Sequence, residues 1–473
     1  MLALTAAGGS AAIAPQVATA HGLGEQTGLP VPIWLFTWSA AIVLVVSFVA
    51  LAALWTTPRL EHARRRRVLP LGAWADAILG AAGVALYALV VYAGLAGTQV
   101  PTANLAPTVI YICFWVGLVV ASLLFGDVFR LLSPWRTVAR MAAWTFRRRQ
   151  EPTRARRNYP QRLGRWPAVA GLVGFAWLEL VYLNRDQPST LAWLALAYAS
   201  VQLAGIGLFG VDKWSRNGDA FGVYFGLFAA LSPWERRDGW LYRRAPLSGA
   251  MKIAAIPGTV AVLCVMIGST TFDGASNGQL WLGIAPHLQA AGQDLGLSVG
   301  GGLELAGTIG LAASIVLVAS LYRLGIKGMR RFGLGPGDWS ASVTGIETGL
   351  AARFAVSLIP IAAAYVLAHN LSALAYQGQA AVSLASDPLG DGANWFGTAN
   401  FRVDSSAIST AGIWYFQVAA LVTGHAAGLV LAHDRAVGTF RRPSDAARSQ
   451  QWMLIIMVGF TSLALFLIST ANR

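Results

Sequence analysis

Apolar runs separated by short, strongly basic intervals organise this chain from end to end. Such runs lie at 32–55, 73–96, 107–132, 166–184, 190–212, 251–271, 303–323, 350–375, 411–434 and 451–470. As helices, each is long enough to cross roughly 30 Å of hydrocarbon. They predict an all-α fold, a polytopic transmembrane bundle of about ten spans. One apolar stretch, AFGVYFGLFAAL (220–231), does not fit as a span. It reaches only about 18 Å as helix, and the runs on either side of it place both its ends on one face of the membrane. It is expected to form a short re-entrant or interfacial helix.

Composition agrees. The chain is 56% hydrophobic and 12% charged, about half the charged share of a soluble domain. The net charge of +14 raises the question of nucleic acid, but its placement excludes that class. Basic residues come in bursts between apolar runs, as in PRLEHARRRR (58–67), ERRDGWLYRR (235–244) and the interval 135–165. Arginine and lysine retained in cytoplasmic loops set membrane topology. On that rule nearly every basic residue falls inside a bacterial inner membrane, Arg185, Arg402 and Arg473 excepted, and both termini lie outside. Residues 1–20 end in Ala18-Thr19-Ala20, the small-x-small pattern of a signal peptide cleaved before His21. The freed amine and imidazole of His21 would be a copper-chelating pair. Residues 21–473 then form one integral-membrane domain. Cys113 and Cys264 both lie in apolar runs and read as core thiols.

A repeat stands out. GDVFRLLSPWR (126–136) and GDAFGVYFGLFAALSPWE (218–235) share Gly-Asp-x-Phe followed by Leu-Ser-Pro-Trp. The second is longer by about two helical turns, which keeps each aspartate on a similar face. Two readings stand: similar membrane exits, or a duplicated half carrying a functional pair, Asp127 and Asp219. Ser-Pro is an N-cap followed by the first helical position, and Ser232-x-x-Glu235 has the capping-box spacing. Each Ser-Pro-Trp is therefore expected to start an interfacial helix, with Trp135 and Trp234 at headgroup depth. Segments 272–302 and 376–410 form outer caps. The second carries Asp387, Asp391, Asn394 and Asp404, whose spacing misses the EF-hand loop and predicts a turn-rich cap.

Ionisable and polar residues inside spans are candidate functional groups. Counted from the inner end of each span, Glu179 lies about 20 Å deep, Gln417 about 25 Å and His369 about 27 Å. They share an outer layer with Asn370 and Tyr415, expected to line a cavity. Asp127, Asp219, His433 and Asp434 fall in an inner layer, with His433 expected to pair with Asp127. His425 sits near mid-membrane, about 12 Å along its helix from His433, so the two cannot share one metal. His425 lies within Gly424-x-x-x-Gly428, a close-approach pattern. It reads either as an interhelical hydrogen bond or as a cavity-lining proton carrier or ligand. The candidate catalytic pair is Glu179 with His369, a carboxylate that orients an imidazole as base or joins it on a divalent metal, zinc or copper. His369 and His425 are the candidate metal ligands. GLSVG (296–300) matches the nucleophile-elbow spacing but lacks the strand that motif needs. Neither a P-loop nor a dinucleotide fingerprint is present.

AHNLSALAYQGQA, SDPLGDG, GIWYFQVAALVTGHAAGLVLAHDRA and RSQQWMLIIMVGFTSLALFLIS, with GDVFRLLSPWR, TTFDG and AHGLG earlier, resemble a family of bacterial integral-membrane proteins commonly labelled fenitrothion hydrolase. The resemblance spans nearly the whole chain. It implies hydrolysis of an apolar organophosphate-type triester and assigns no catalytic residues. Such hydrolysis usually uses a metal-activated water. Three functions are therefore carried forward: a metal-assisted hydrolase, a small-molecule or ion transporter with 220–231 as its broken element, and a non-catalytic membrane scaffold or complex subunit.

Overall fold

A computed structural model describes residues 33–148, 157–333, 343–440 and 442–471. The leader at 1–20 and His21 lie outside the described residues. In chain order the long helices are α1 (Ile33–Leu54), α2 (Ala73–Ala96), α3 (Leu105–Phe125), α4 (Pro134–Arg148), α5 (Trp166–Leu180) and α6 (Pro188–Phe209). There follow α7 (Ala220–Ala229), α8 (Thr259–Ser276), α9 (Gln279–Asp294), α10 (Val299–Gly333), α11 (Gly349–Ser386), α12 (Thr410–Val437) and α13 (Pro443–Ala471). Among the described residues, seven helices are long and apolar enough to cross a membrane: α2, α3, α6, α8, α10, α11 and α12. Their outward faces are apolar too. Ile78, Tyr92, Trp193, Val201 and Val316 are all more than half exposed, an arrangement suited to lipid. The protein is an all-α, multi-pass membrane bundle.

One small sheet interrupts the helices at the basic end. β1 (Arg66–Pro70), β2 (Trp234–Arg237) and β3 (Trp240–Arg243) pair antiparallel in the order β1-β3-β2. The second Ser-Pro-Trp thus opens a strand, not a helix, and the capping-box expectation at Ser232 is overturned. The local cause is Asp238-Gly239. Both residues have positive φ, 49° and 76°, the Asp-Gly turn that closes a two-residue hairpin. The Ser232 hydroxyl instead accepts the Trp234 amide at 3.1 Å.

The first Ser-Pro-Trp does start a helix, α4, which exposes Val138, Met141 and Trp144. Its Trp135 is not at the surface. It is buried and donates its indole N–H to Asp219 at 2.8 Å. The two copies of the repeat dock on each other: Trp135 of the first holds Asp219 of the second, while the Trp234 backbone lies against Gly126. A Cβ there would sit 2.8 Å from the Trp234 carbonyl oxygen, and φ is +88°. In both copies the aspartate caps the helix that follows. Asp127 accepts the Arg130 amide and Asp219 the Phe221 amide, each at 3.2 Å. Asp219 also accepts the Tyr198 hydroxyl at 2.7 Å. Both aspartates thus serve as helix caps.

The α7 helix that Asp219 opens is buried along almost its whole length. Tyr224 stacks on Trp115 at 4.3 Å, and Phe221 and Phe225 pack edge-on to Phe114 at 4.7 and 5.3 Å. The short helix expected over 220–231 is observed, packed inside the bundle. Opposite, α11 and α12 pack through Gly424 and Gly428, where a Cβ would meet Ala364 at 2.3 Å and the Ser357 carbonyl at 2.9 Å. The close-approach reading of that motif holds. The cap after α11 is turn-rich, and its acidic groups are used internally. Asp387 accepts the Asp391 and Gly392 amides, Asp391 that of Ala393, and Asp404 that of Ser406. Segment 272–302 is mostly helical, formed by α9 and the start of α10, where Ser298 accepts the Gly301 amide at 3.1 Å.

Candidate functional site

α8 begins later than the apolar run does. Pro257 and Gly258, the latter at φ 84°, stop the chain before Thr259. The helix therefore continues to Ser276 and carries Asp273 in its last turns. α8 packs directly on α11. Across that seam the Asp273 Oδ2 lies 2.7 Å from the His369 Nε2, the side chains 12% and 22% exposed. This carboxylate–imidazole contact, reachable from the surface yet set among apolar helices, is the strongest chemical feature of the bundle. Gly274 lies beside the ring, where a Cβ would come to 3.8 Å of Nδ1.

The backbone around the pair is irregular. Just after His369, α11 passes through a π-helical segment, Ala373–Gln377, which packs against a longer π-helical segment of α3, Thr108–Gly117. Widened turns of this kind concentrate at functional sites. Ser372, one turn beyond His369, and Tyr224 on α7 each bury a hydroxyl that finds no hydrogen-bond partner among the described residues. Glu179 lies on α5, which packs on both α7 and α8. A carboxylate that sequence reading places beyond the end of a span, Asp273, is seated on His369.

The other candidates scatter. Gln417 is buried and donates to the Ala368 carbonyl at 2.9 Å, a strut between α12 and α11. Asn370 donates to Val366 of its own helix at 3.1 Å. Tyr415 is half exposed beside Trp414 and faces away from the bundle. His425 is fully buried, and its Nδ1 lies 2.8 Å from the Leu421 carbonyl one turn back. That is an intrahelical contact; among the described residues Nε2 has no hydrogen-bond partner, and the ring faces Tyr365. His433 does not pair with Asp127. Its Nε2 lies 2.9 Å from the Trp55 carbonyl. Beside it, fully buried Asp434 accepts the Trp55 indole at 2.9 Å and the amides of Arg59, Leu60 and Glu61 at 2.6, 3.1 and 3.3 Å. The turn after α1 is wrapped around that one carboxylate.

A zinc or copper ion needs three or four converging ligands. Among the described residues no group of three His, Cys, Asp or Glu converges. His369 and Asp273 offer two, and His425 does not converge with them. The donor set does not fit the expected metal.

Comparison with known proteins finds no matching family model, no similar curated protein and no similar solved structure. Functional assignment therefore rests on the site itself.

Proposed function

We propose that the chain is a proton-coupled transporter of a bacterial inner membrane, with His369 and Asp273 as the proton-exchanging pair. The contact that carries this reading is the 2.7 Å approach of the Asp273 carboxylate to the His369 imidazole between two membrane helices. An ionisable pair retained in an apolar bundle marks an ion or substrate path by default. Interrupted helices and a short buried element around such a pair are the usual construction of transporter sites. Here the π-helical segments of α3 and α11 and the ten-residue α7 supply both. The basic bursts support a cytoplasmic placement of the sheet end, with the His369 end outside. Proton uptake or release by the pair would change its charge complementarity and so bias the α8–α11 seam between two states.

The test uses purified protein in sealed vesicles loaded with a pH-sensitive dye and challenged with a panel of small amphiphiles. The wild type should move protons with at least one compound. His369→Gln and Asp273→Asn should abolish that flux while melting like the wild type. Equal flux in wild type and variants overturns the assignment.

A second reading, hydrolysis of neutral organophosphate-type esters, is favoured by one observation. Asp273 orients His369 as a carboxylate orients a catalytic base, with the Ser372 hydroxyl one helical turn away. Ester turnover by the purified protein, lost in His369→Gln and accompanied by no flux, would select it.

A further inference from the structure

At the basic end, away from His369, the segment leading into β1 and the segment leaving β3 enclose an open cavity of about 840 Å³. Arg64, Arg65, Arg66, Arg243 and Arg244 line it, together with Trp234. The volume is that of a ligand site. Glu235 is the acidic group nearby, 3.2 Å from Arg65 and 3.5 Å from Arg244. Among the described residues no carboxylate pairs with Arg64, Arg66 or Arg243.

Topology signalling needs basic residues in a loop but does not need them to converge. These come from segments far apart in sequence and are brought face to face by the sheet. Arg66 stands directly opposite Arg243 in the β1–β3 register, and like charges so placed destabilise a sheet. Arg244 is also fixed in position. Its guanidinium donates to the Ser232 and Ala229 carbonyls at 3.0 and 2.8 Å. A pre-positioned guanidinium, facing cations without counter-charge and an indole on the wall make a receptor for a phosphate group, which guanidinium forks bind bidentately.

We infer that this cavity binds a phosphate-bearing anion, either the headgroup of an anionic lipid or a soluble phosphate compound. A bound phosphate supplies the negative charge that the Arg66–Arg243 pair lacks and ties β1 to β3. The site is separate from the His369–Asp273 pair, so it stands or falls independently of the transport reading.

The experiment is thermal melting of the full chain in neutral detergent at fixed ionic strength. The probes are inorganic pyrophosphate, short-chain phosphatidylglycerol and, as zwitterionic control, short-chain phosphatidylcholine. Saturable stabilisation by phosphatidylglycerol alone assigns the lipid source, and saturable stabilisation by pyrophosphate assigns the soluble one. In either case the Arg66→Gln/Arg243→Gln double variant should bind on the order of tenfold more weakly or worse, the loss expected for removing charged hydrogen bonds. That variant should melt no lower than wild type without ligand, because it removes a repulsive pair. The Arg157→Gln/Arg162→Gln variant carries the same charge change on exposed residues outside the cavity and should bind as wild type. No stabilisation by either anion, or equal loss in both double variants, overturns the proposal.

Discussion

Replacing Asp219 tests whether the duplicated Gly-Asp motif is a structural cap or a functional carboxylate. The side chain is almost fully buried and accepts the Trp135 indole, the Tyr198 hydroxyl and the Phe221 amide. In Asp219→Ala the buried indole and hydroxyl lose their acceptor, each at about 1–3 kcal/mol. Loss of the α7 cap adds about 1 kcal/mol. Relief from burying the carboxylate offsets part of this, so a net loss of about 3–5 kcal/mol is expected. Asp219→Asn keeps one acceptor oxygen but turns an amide N–H₂ toward a donor, and should lose about 1–3 kcal/mol. Trp135→Phe removes one donor from the opposite side. Combined with Asp219→Asn it should cost less than the sum of the single changes, by about 1 kcal/mol, because the two share one bond. The assay is chemical unfolding in detergent, followed by size-exclusion retention and tryptophan emission. Wild-type stability in both Asp219 variants would refute the structural reasoning. Lost transport at unchanged stability would restore the functional pair.

Asp434→Ala strips the acceptor from the Trp55 indole and the Arg59, Leu60 and Glu61 amides. A sharp rise in hydrogen exchange over 59–61, with a stability loss of about 3–5 kcal/mol, is expected. Unchanged exchange there would mean the turn holds without its carboxylate. Asp212, beyond the end of α6, has a carboxyl that burial pushes up, but Arg136, Arg130, Arg216 and Arg140 outweigh burial and hold it below its ordinary value. A depressed folded value contributes stability above the unfolded carboxylate range, about pH 4, and loses it as pH falls through the folded value. Melting followed from pH 5 to pH 2 should show a decline that is shallower in Asp212→Asn. The effect is small, because the side chain is 65% exposed and solvent screens it. Identical slopes would remove the arginine cluster from the account.

Much of the fold was legible because length and hydropathy decide it. The run at 73–96 is α2 to the residue, and the short apolar stretch at 220–231 could not have been a span. The sheet has one strong local signal, Asp-Gly between paired Arg237 and Trp240, which competes with the helix-start pattern at Ser232 and prevails. The site was half legible. His369 stood out as an imidazole inside an apolar run, but its partner depends on where α8 starts. Pro257-Gly258 moves that start past Met251–Ile256, whose apolar side chains had been counted as membrane. Which carboxylate meets an imidazole across two helices is a matter of packing between distant segments. Hydropathy along one chain holds no such information, and for the same reason it does not reveal that Gln417 bonds the Ala368 carbonyl across a helix seam or that Asp127 caps a helix.

The clasp around Asp434 also sets a clock on assembly. Arg59 and its acceptor are 375 positions apart, and at about 5–20 residues per second the ribosome separates them by roughly 20–75 s. Until α12 arrives, the amides of the turn after α1 have only water or headgroups to bond. The first helix can lie in the membrane early, yet its last turn closes only when the penultimate one reaches it. A chain halted between the two would leave α1 as a loose segment, a ready substrate for the proteases that clear unfinished membrane proteins.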